Sequence, residues 1–447
     1  MRVSPAEAAS LARLTVSLVS ADEAEAVVSV NDSALTRFAN NHIHQNVAEL
    51  DASVSVRAVV GTRQGVASTN RTDDEGLRAC ADAAVRAARV APEDPDFPGL
   101  PSPAPIETHD RVRESTQAFD AEARARAASA IIEQSAERDL TAAGTVARSE
   151  YAVAVANSHG VDASAAVTSL KATVLSMGAD GGSGWGSWLG GNASDFSPEA
   201  LGDEAATLAQ RSENPGSLDP GVYPVVLAPD AVSDVMDFLG YLAFGAKDVF
   251  EKSSFIAGHE GEQLLSERFT LSDDALSEET LGLTFDFEGA PKRRVPLVEN
   301  GIVRGPVTDS YWAARMGLAN TGHALPAPNP YGPLPLNLEI AAGDMRVDEM
   351  IASVKYGLYV TRFHYVNVED PLRAVLTGMT RDGTFLIENG RLTRPIKNVR
   401  FTQSVLDALG RVQAIGSSRL LVGPEEGGAT LVPSLLLEGW EFTGQTR

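Results

Sequence analysis

The histidines are the first side chains to test for chemistry, and the closest pair is His42 and His44 in "RFANNHIHQN". The alternating pattern predicts a strand, so both imidazoles leave the same face, a geometry that can hold a metal. A zinc site needs further Cys, His, Asp or Glu donors, whereas the neighbours here are Asn and Gln. We therefore favour a polar strand over a pair of metal ligands.

A second candidate, "AGHEGEQLL", begins like the helical motif of zinc hydrolases, with Glu260 directly after His259. That motif needs a second histidine on the same helix face. Gln263 and Leu264 stand at the two spacings that could supply it, and the flanking glycines argue against a helix. The sequence has no Gly-x-Ser-x-Gly elbow and no convincing Cys–His pair. We predict neither a catalytic residue nor a metal ligand in this chain.

Several side chains are instead candidates for contacting a substrate within a groove or chamber. A histidine in the Gly/Pro-rich "ANTGHALPAPNPYG" is displayed on a loop, and the arginines of "APKRRVP" could hold a carboxylate such as a peptide C-terminus. The alternatives are a plain loop histidine and arginines that pair with Asp286 and Glu288. The predicted substrate residues are His323, Arg293, Arg294, Arg362, His364, Trp185 and Trp188.

Composition excludes some functions. The 447 residues carry a formal net charge of −23, from 37 basic and 60 acidic residues. This charge repels phosphate backbones, so nucleic-acid binding is disfavoured. No apolar run reaches the roughly 20 residues of a membrane span, and the N-terminus resembles no secretory signal. We expect a cytoplasmic protein.

The single cysteine, Cys80, rules out an intrachain disulfide and lies on the apolar face of a predicted helix.

The elements that position these residues follow from hydrophobic periodicity. Helical patterns at residues 5–19 and 73–90 flank period-two stretches, which predicts a helix, an antiparallel meander and a helix. A Pro-rich acidic connector occupies residues 91–108. A second helix-then-strands pattern begins with a predicted helix at residues 118–138. The Gly-rich stretch 178–196, which contains both tryptophans, is predicted to be a flexible loop beside a groove.

The C-terminal half is dominated by strand and turn signals. A strand and a long apolar helix are predicted within residues 219–252. Asn-Gly pairs in "PLVENGIV" and "FLIENGRL" predict two tight hairpins, because both turn residues need positive φ. We predict an α+β protein with an N-terminal α/β domain at residues 1–218 and a mostly antiparallel β domain at residues 219–447.

Taken together, "RFANNHIHQN", "EKSSF", "FDFEGAPKRRVPLVENGIV" and "DSYWAARMGLANTGHA" resemble the TldD/PmbA peptidase family, and their order is similar to its PmbA (TldE) branch. The resemblance spans nearly the whole chain. It implies that TldD-type subunits carry a zinc-binding His-Glu-x-x-x-His motif with a downstream cysteine, and that TldE-type subunits lack it and pair with TldD around a chamber. This sequence has no such motif.

The resemblance thus implies a non-catalytic subunit that binds extended peptide beside a zinc-carrying TldD-like partner. One departure is "TGMTRDGTFLIENG", where family members have a Gly-Asp-Phe/Tyr-Ser stretch, and it raises maturation of a peptide-derived natural product as a role. A regulatory protein that binds gyrase or a toxin without proteolysis is one alternative. An autonomous hydrolase built on His42, His44 or His323 is another.

Overall fold

The computed structural model describes residues 4–423 and 429–445 and confirms the predicted α+β class. Two β-sheets organise these residues. One lies in the N-terminal half and the other in the C-terminal half, and helices cover parts of both. Among the helices of the described residues, none is both long and apolar enough to cross a membrane.

The first sheet contains six antiparallel strands of the described residues, in the spatial order β3-β2-β1-β4-β5-β6. Two runs of three consecutive strands therefore meet side by side at β1 and β4. The strands are β1 Glu23–Ala39, β2 His42–Val60, β3 Arg63–Thr69, β4 Thr141–Asn157, β5 Asp162–Met177 and β6 Ser183–Gly190.

Five helices accompany this sheet, and the periodic segments predicted as helical are confirmed to within a few residues at each end. Side-chain caps start four of the five helices; in α2, for example, the Asp73 carboxylate accepts a hydrogen bond of 2.7 Å from the Gly76 amide. The helices are α1 Pro5–Leu18, α2 Asp74–Val90, α3 Glu114–Gln117, α4 Ala121–Ala136 and α5 Pro198–Arg211.

Alternation along the strands separates the two faces of the first sheet. On β1, Ala26 and Val28 belong to the core beneath α1 and α2. The intervening Val27 belongs to a different cluster that includes Phe285 of the C-terminal half. The helix layer thus covers one face, and the opposite face is directed toward the C-terminal half. Cys80 of α2 is buried in the helix-side core, as predicted.

The prediction of a flexible loop over residues 178–196 is wrong for its centre, because Ser183–Gly190, which includes both tryptophans, forms the edge strand β6. The glycines permit close packing rather than flexibility. A Cβ added to Gly184 would lie 2.1 Å from the Ala205 carbonyl oxygen and 2.5 Å from the Ala209 nitrogen of α5. Only glycine therefore lets the helix backbone approach this strand so closely.

Replacing Gly184 by alanine should lower the free energy of unfolding by about 1–3 kcal/mol, because the added methyl group must push α5 away from β6. The midpoint of urea unfolding measures this change. Gly444→Ala is the matched control, since no atom lies within 4 Å of the position its Cβ would occupy. Equal midpoints for the two variants would contradict the packing role of Gly184.

The second sheet is mixed and contains eleven strands of the described residues. Strand β7 pairs with both β12 and β17, so that β17-β15-β13-β12-β7 close into a ring. The strands are β7 Gly221–Leu227, β8 Leu271–Asp273, β9 Val295–Glu299, β10 Ile302–Val303, β11 Leu338–Ile340, β12 Tyr356–Asp370, β13 Val375–Glu388, β14 Arg391–Ile396, β15 Val399–Ser404, β16 Val412–Val422 and β17 Thr430–Gln445.

Most strand pairs in this sheet are antiparallel, as predicted, and β7–β12 and β11–β17 are parallel. Both Asn-Gly hairpins are confirmed. Asn300 and Gly301 (φ 50° and 79°) join β9 to β10, and Asn389 and Gly390 (φ 49° and 76°) join β13 to β14. The associated helices are α6 Pro229–Ala243, α7 Ala246–Phe250, α8 Ser310–Met316, α9 Val347–Ser353 and α10 Val405–Leu409.

The long helix predicted within residues 219–252 is divided into α6 and α7. The backbone leaves the helical path at Phe244 to pair with Val307. The Val307 amide donates to the Phe244 carbonyl at 2.8 Å, and the Ala246 amide donates to the Val307 carbonyl at 3.0 Å. This long-range pairing satisfies the backbone groups that a continued helix would have used.

A buried ion network joins the two halves. The Arg57 guanidinium of β2 lies 2.8 Å from the Glu25 carboxylate of β1 and 3.1 Å from the Glu288 carboxylate of the C-terminal half. The Ser310 hydroxyl also donates to Glu288. Because all three charged side chains are at most 11 % exposed, the network is shielded from water and fixes how the halves meet.

Candidate functional site

A cavity of about 990 Å³ lies between the open face of the first sheet and loops of the C-terminal half. Its size is at the upper end of the range for ligand pockets. The sheet wall is largely polar and comes from alternate residues of neighbouring strands: Asn31, Ser33 and Leu35 of β1, Gln45, Val47 and Glu49 of β2, Ala147, Ser149 and Tyr151 of β4, and Val167, Ser169 and Lys171 of β5.

The opposite wall has a different chemistry. It is mostly apolar, with a few polar groups that converge at one place. The apolar members are Leu281, Leu283, Phe285, Phe287, Leu325, Pro326 and Leu336, and the polar members are Asp286, Lys292, His323 and Asn337. A cavity with one hydrogen-bonding wall and one apolar wall suits an extended ligand that has polar and apolar parts.

His323, a predicted substrate residue, lines this cavity but is held in a buried hydrogen-bond network. Its Nε2 lies 2.8 Å from the Asp273 Oδ1, and its Nδ1 lies 2.9 Å from the Thr321 hydroxyl. Burial and the nearby Lys292 lower the pKa of His323, although Asp273 opposes this effect. At neutral pH we assign a neutral imidazole that donates from Nε2 to an ionised carboxylate.

Asp273 is buried, and both of its oxygens accept hydrogen bonds. Oδ1 faces His323, and Oδ2 accepts from the Asn337 amide at 2.7 Å. Burial alone would raise the pKa of Asp273, but its interactions with His323, Lys292 and the Asn337 amide hold that pKa below the ordinary value. The pair therefore positions the loop that carries His323, and Asp273 together with Thr321 occupies both imidazole nitrogens.

Asp286 is likewise fully engaged by the backbone around it. It accepts from the amides of Glu288 (3.0 Å), Ala290 (2.9 Å) and Ala324 (2.9 Å). Burial and the neighbouring Glu288 carboxylate raise the pKa of Asp286. This carboxyl group shapes the turn over residues 286–290 and fastens the His323 loop to it.

The other predicted substrate residues lie outside the cavity lining. Arg293 and Arg294 are exposed. Arg293 donates to the Asn320 carbonyl, and Arg294 lies 3.5 Å from the Asp274 carboxylate. Neither pairs with Asp286 or Glu288 in the described residues, so the pairing considered from the sequence is wrong. Their role in substrate binding stays a prediction.

Trp185 and Arg362 do come together, at a junction between β6 and β12. The Arg362 guanidinium stacks over the Trp185 ring, 3.9 Å from its centroid, and donates to the Asp382 carboxylate at 2.8 Å. Trp188 instead packs against Phe196, with ring centroids 5.0 Å apart. His364 contacts the ring of its neighbour Tyr365. A substrate role for these four residues also stays a prediction.

The junction also contains a row of aspartates on α6. The indole Nε1 of Trp185 donates to Asp230 at 3.1 Å, the Phe363 amide donates to Asp234 at 2.8 Å, and the Thr430 hydroxyl donates to Asp237 at 3.0 Å. Burial raises the pKa of Asp234 to about 7 and that of Asp237 to about 6. The chain therefore carries carboxyl groups here that resist ionisation.

Asp234→Asn should stabilise the protein at pH 8 by about 2–4 kcal/mol. The folded pKa of Asp234 is raised, so its contribution to stability is present below the ordinary pKa and is lost as pH rises toward about 7. Asparagine keeps an acceptor for the Phe363 amide without the charge. Urea unfolding at pH 8 and pH 5 tests this expectation, and the gain should shrink at pH 5. A variant less stable than wild type at pH 8 would contradict it.

His42 and His44 lie at the start of β2, where both are exposed beside the β1–β2 turn. Asn40 (φ 52°) and Asn41 (φ 61°) form that turn. Within residues 4–423 and 429–445, no three His, Cys, Asp or Glu side chains form a group able to hold a metal ion. The donors that the described residues present do not fit a zinc centre of the kind that metallopeptidases use.

The first sheet has an open edge beside the cavity. Strand β3 pairs only with residues Val54–Val60 of β2, so on the side away from β1 no described strand borders the outer part of β2, residues 42–53. Backbone donors and acceptors along such an edge can pair with an added extended chain. Gln45, Val47 and Glu49 project into the cavity from this same segment.

Comparison of this chain with known protein families identifies the class of protein to which it belongs. Residues 24–88 match the PmbA/TldA metallopeptidase domain 1, residues 102–213 match the central domain, and residues 220–444 match the C-terminal domain. These matches define a protein of a metallopeptidase class. Within it, the chain belongs to the PmbA/TldD family, which confirms the resemblance seen in the motifs.

Individual proteins that are similar to this chain carry names of the same family. The Metalloprotease PmbA of Escherichia coli O157:H7 is 25 % identical over 439 residues, which cover 94 % of this chain and 92 % of that protein. A Metalloprotease TldD homolog of Haemophilus influenzae is 30 % identical over 171 residues, 37 % of this chain and 34 % of the relative, so that match spans about a third of its length. The crystal structure of TldE from Thermococcus kodakarensis has the same fold, with a TM-score of 0.90, 20 % identity, and coverage of 99 % of this chain and 100 % of that one.

Proposed function

We propose that this chain is a non-catalytic, TldE-like subunit of a heteromeric zinc metallopeptidase and that its cavity holds an extended peptide. A TldD-like partner would carry the zinc and cleave the peptide. This chain would shape the chamber in which the peptide lies. Maturation of a peptide-derived natural product is the role that we propose for the assembly, in the cytoplasm.

The observation that carries the proposal is the large cavity, which the described residues provide without a metal-binding group beside it. His323 already uses both ring nitrogens on Asp273 and Thr321. A cavity of this size that lacks a zinc donor set suits a subunit that holds substrate for a partner.

The open edge of β2 offers a way to hold that peptide. An extended segment added along residues 42–53 would form main-chain hydrogen bonds, which depend little on peptide sequence. Alternate side chains of the added strand would then face the cavity. Specificity would come from the cavity walls rather than from the strand pairing itself.

Purification of this chain alone and after co-expression with the TldD-like protein of the same genome tests the proposal. We expect the chain alone to contain essentially no zinc and to hydrolyse no peptide. The co-expressed sample should contain a stable complex with zinc and peptidase activity. Size-exclusion chromatography, elemental analysis and mass spectrometry of an unfolded peptide substrate give the three readouts. One zinc per chain in the isolated protein, or hydrolysis by that chain at the rate of the complex, would overturn the proposal.

A further inference from the structure

Lys292 differs from the other two cations of the cavity lining. Arg148 donates to the Asp32 carboxylate at 3.0 Å, and Lys171 donates to the Gly423 carbonyl at 3.0 Å. Lys292 is half-buried and has no hydrogen-bond or ion-pair partner for its ammonium group anywhere in residues 4–423 or 429–445. This is unusual in a chain with a net charge of −23.

Two acids on the same side of the cavity, Asp273, which interacts electrostatically with Lys292, and the lining residue Asp286, are committed elsewhere. Asp273 accepts from His323 and from the Asn337 amide. Asp286 accepts three backbone amides, and burial raises its pKa, which weakens it as a counter-ion at neutral pH. The ammonium group thus remains available to a ligand, in a place where hydration is reduced and charge-assisted hydrogen bonds are strong.

The wall around Lys292 is apolar. Leu283, Phe285 and Phe287 line the same side of the cavity, and Leu325 and Pro326 extend it. A single cation set in an apolar wall matches a ligand in which a carboxylate lies next to hydrophobic side chains. A peptide that ends in an apolar residue has this arrangement.

We propose that Lys292 is an anion subsite that binds a peptide carboxylate, with the adjacent apolar side chain of the peptide packed against the half-buried Leu283 and Phe287. This inference rests on the proposed function, because it specifies which peptides the same cavity would hold. The carboxylate can come from the C-terminus of the peptide or from an acidic side chain.

Fluorescence anisotropy with a labelled peptide tests the subsite in the full-length protein. The probe is Leu-Ala-Leu-Ala-Phe-Leu with fluorescein on its N-terminus, prepared as the free acid and as the C-terminal amide. We expect wild type to bind the free acid roughly 10- to 100-fold more tightly than the amide. Lys292→Met keeps the length of the side chain and should abolish this difference by weakening only the free acid.

Lys397→Met is the matched control, because Lys397 is exposed and lies outside the cavity lining. It should leave both affinities unchanged, and thermal unfolding of both variants confirms that they fold. A third probe, the amide with its penultimate residue changed to glutamate, separates the two sources of carboxylate. Tight binding of this probe by wild type that is lost in Lys292→Met supports the subsite with a side-chain carboxylate.

The outcomes separate the subsite from the function on which it rests. If wild type binds the free acid, the amide and the glutamate probe equally, the subsite is overturned while peptide binding stands. Discrimination that persists in Lys292→Met also overturns it. If no probe binds to the chain or to its complex with the partner, peptide binding by this cavity fails as well.

Discussion

Arg57→Met should lower the free energy of unfolding by about 3–5 kcal/mol, because it leaves buried carboxylates without their counter-charge. Glu25 and Glu288 both approach the Arg57 guanidinium, and burial already raises the pKa of Glu25. Without the arginine the two carboxylates repel each other across the junction of the two halves. The midpoint of urea unfolding at pH 8 measures the loss.

The same variant should be less impaired at pH 5 than at pH 8. Lower pH lets Glu25, whose pKa is already raised, take up a proton instead of remaining as an unpaired charge. Arg78→Met is the matched control, because Arg78 and its partner Asp74 are exposed and such pairs contribute little. If Arg57→Met unfolds at the same urea concentration as this control, the network does not hold the two halves together.

Asp273→Ala is expected to cost about 2–5 kcal/mol of unfolding free energy, since it leaves two buried hydrogen-bond donors without their acceptor, at about 1–3 kcal/mol each. His323 would lose the acceptor for its Nε2 proton, and the Asn337 amide would lose the carboxylate oxygen to which it donates. The folded pKa of Asp273 is lowered. Its contribution to stability is therefore present above the ordinary pKa of 3.8 and is lost as pH falls through the folded value.

Urea unfolding at pH 7 gives the measurement for Asp273→Ala. Asp348→Ala is the control, because the carboxylate of Asp348 pairs with Arg346 on the surface. That variant should behave as wild type. A loss for Asp273→Ala no larger than that of the control would show that the His323 loop is held mainly by Asp286 and its backbone contacts.

Periodicity and turn chemistry were sufficient to predict much of the fold. The capped amphipathic helices, the meanders and the two Asn-Gly hairpins depend on residues close together in sequence. The predictions that are wrong concern segments whose structure depends on contacts between residues far apart in the sequence. A glycine such as Gly184 indicates a loop from sequence alone, and only its close contact with α5 explains its place in a strand. The helix break at Phe244 depends on backbone pairing with Val307, more than sixty positions away.

The cavity was predictable only in part. His323 was identified from its loop, and the basic segment that contains Arg293 was identified from its charge. The residue of that segment that enters the cavity is Lys292, one position earlier, and side-chain direction in an irregular loop has no sequence period to reveal it. Asp273 and Asp286 were missed as parts of the site because their importance comes from burial and saturated hydrogen bonding, which the chain acquires only on folding.

The strand order of the first sheet has a consequence for folding kinetics. Within each run of three strands the neighbours are consecutive, whereas the seam between β1 and β4 joins Glu25 to Asn157 and their neighbours across the Pro-rich connector. Closing so long a loop costs conformational entropy before the strand pairing contributes any stabilisation, and such long-range pairings form slowly. We infer that each three-stranded unit forms first and that the seam forms last. Hydrogen-exchange labelling during refolding would show this order as late protection of the amides that join β1 to β4.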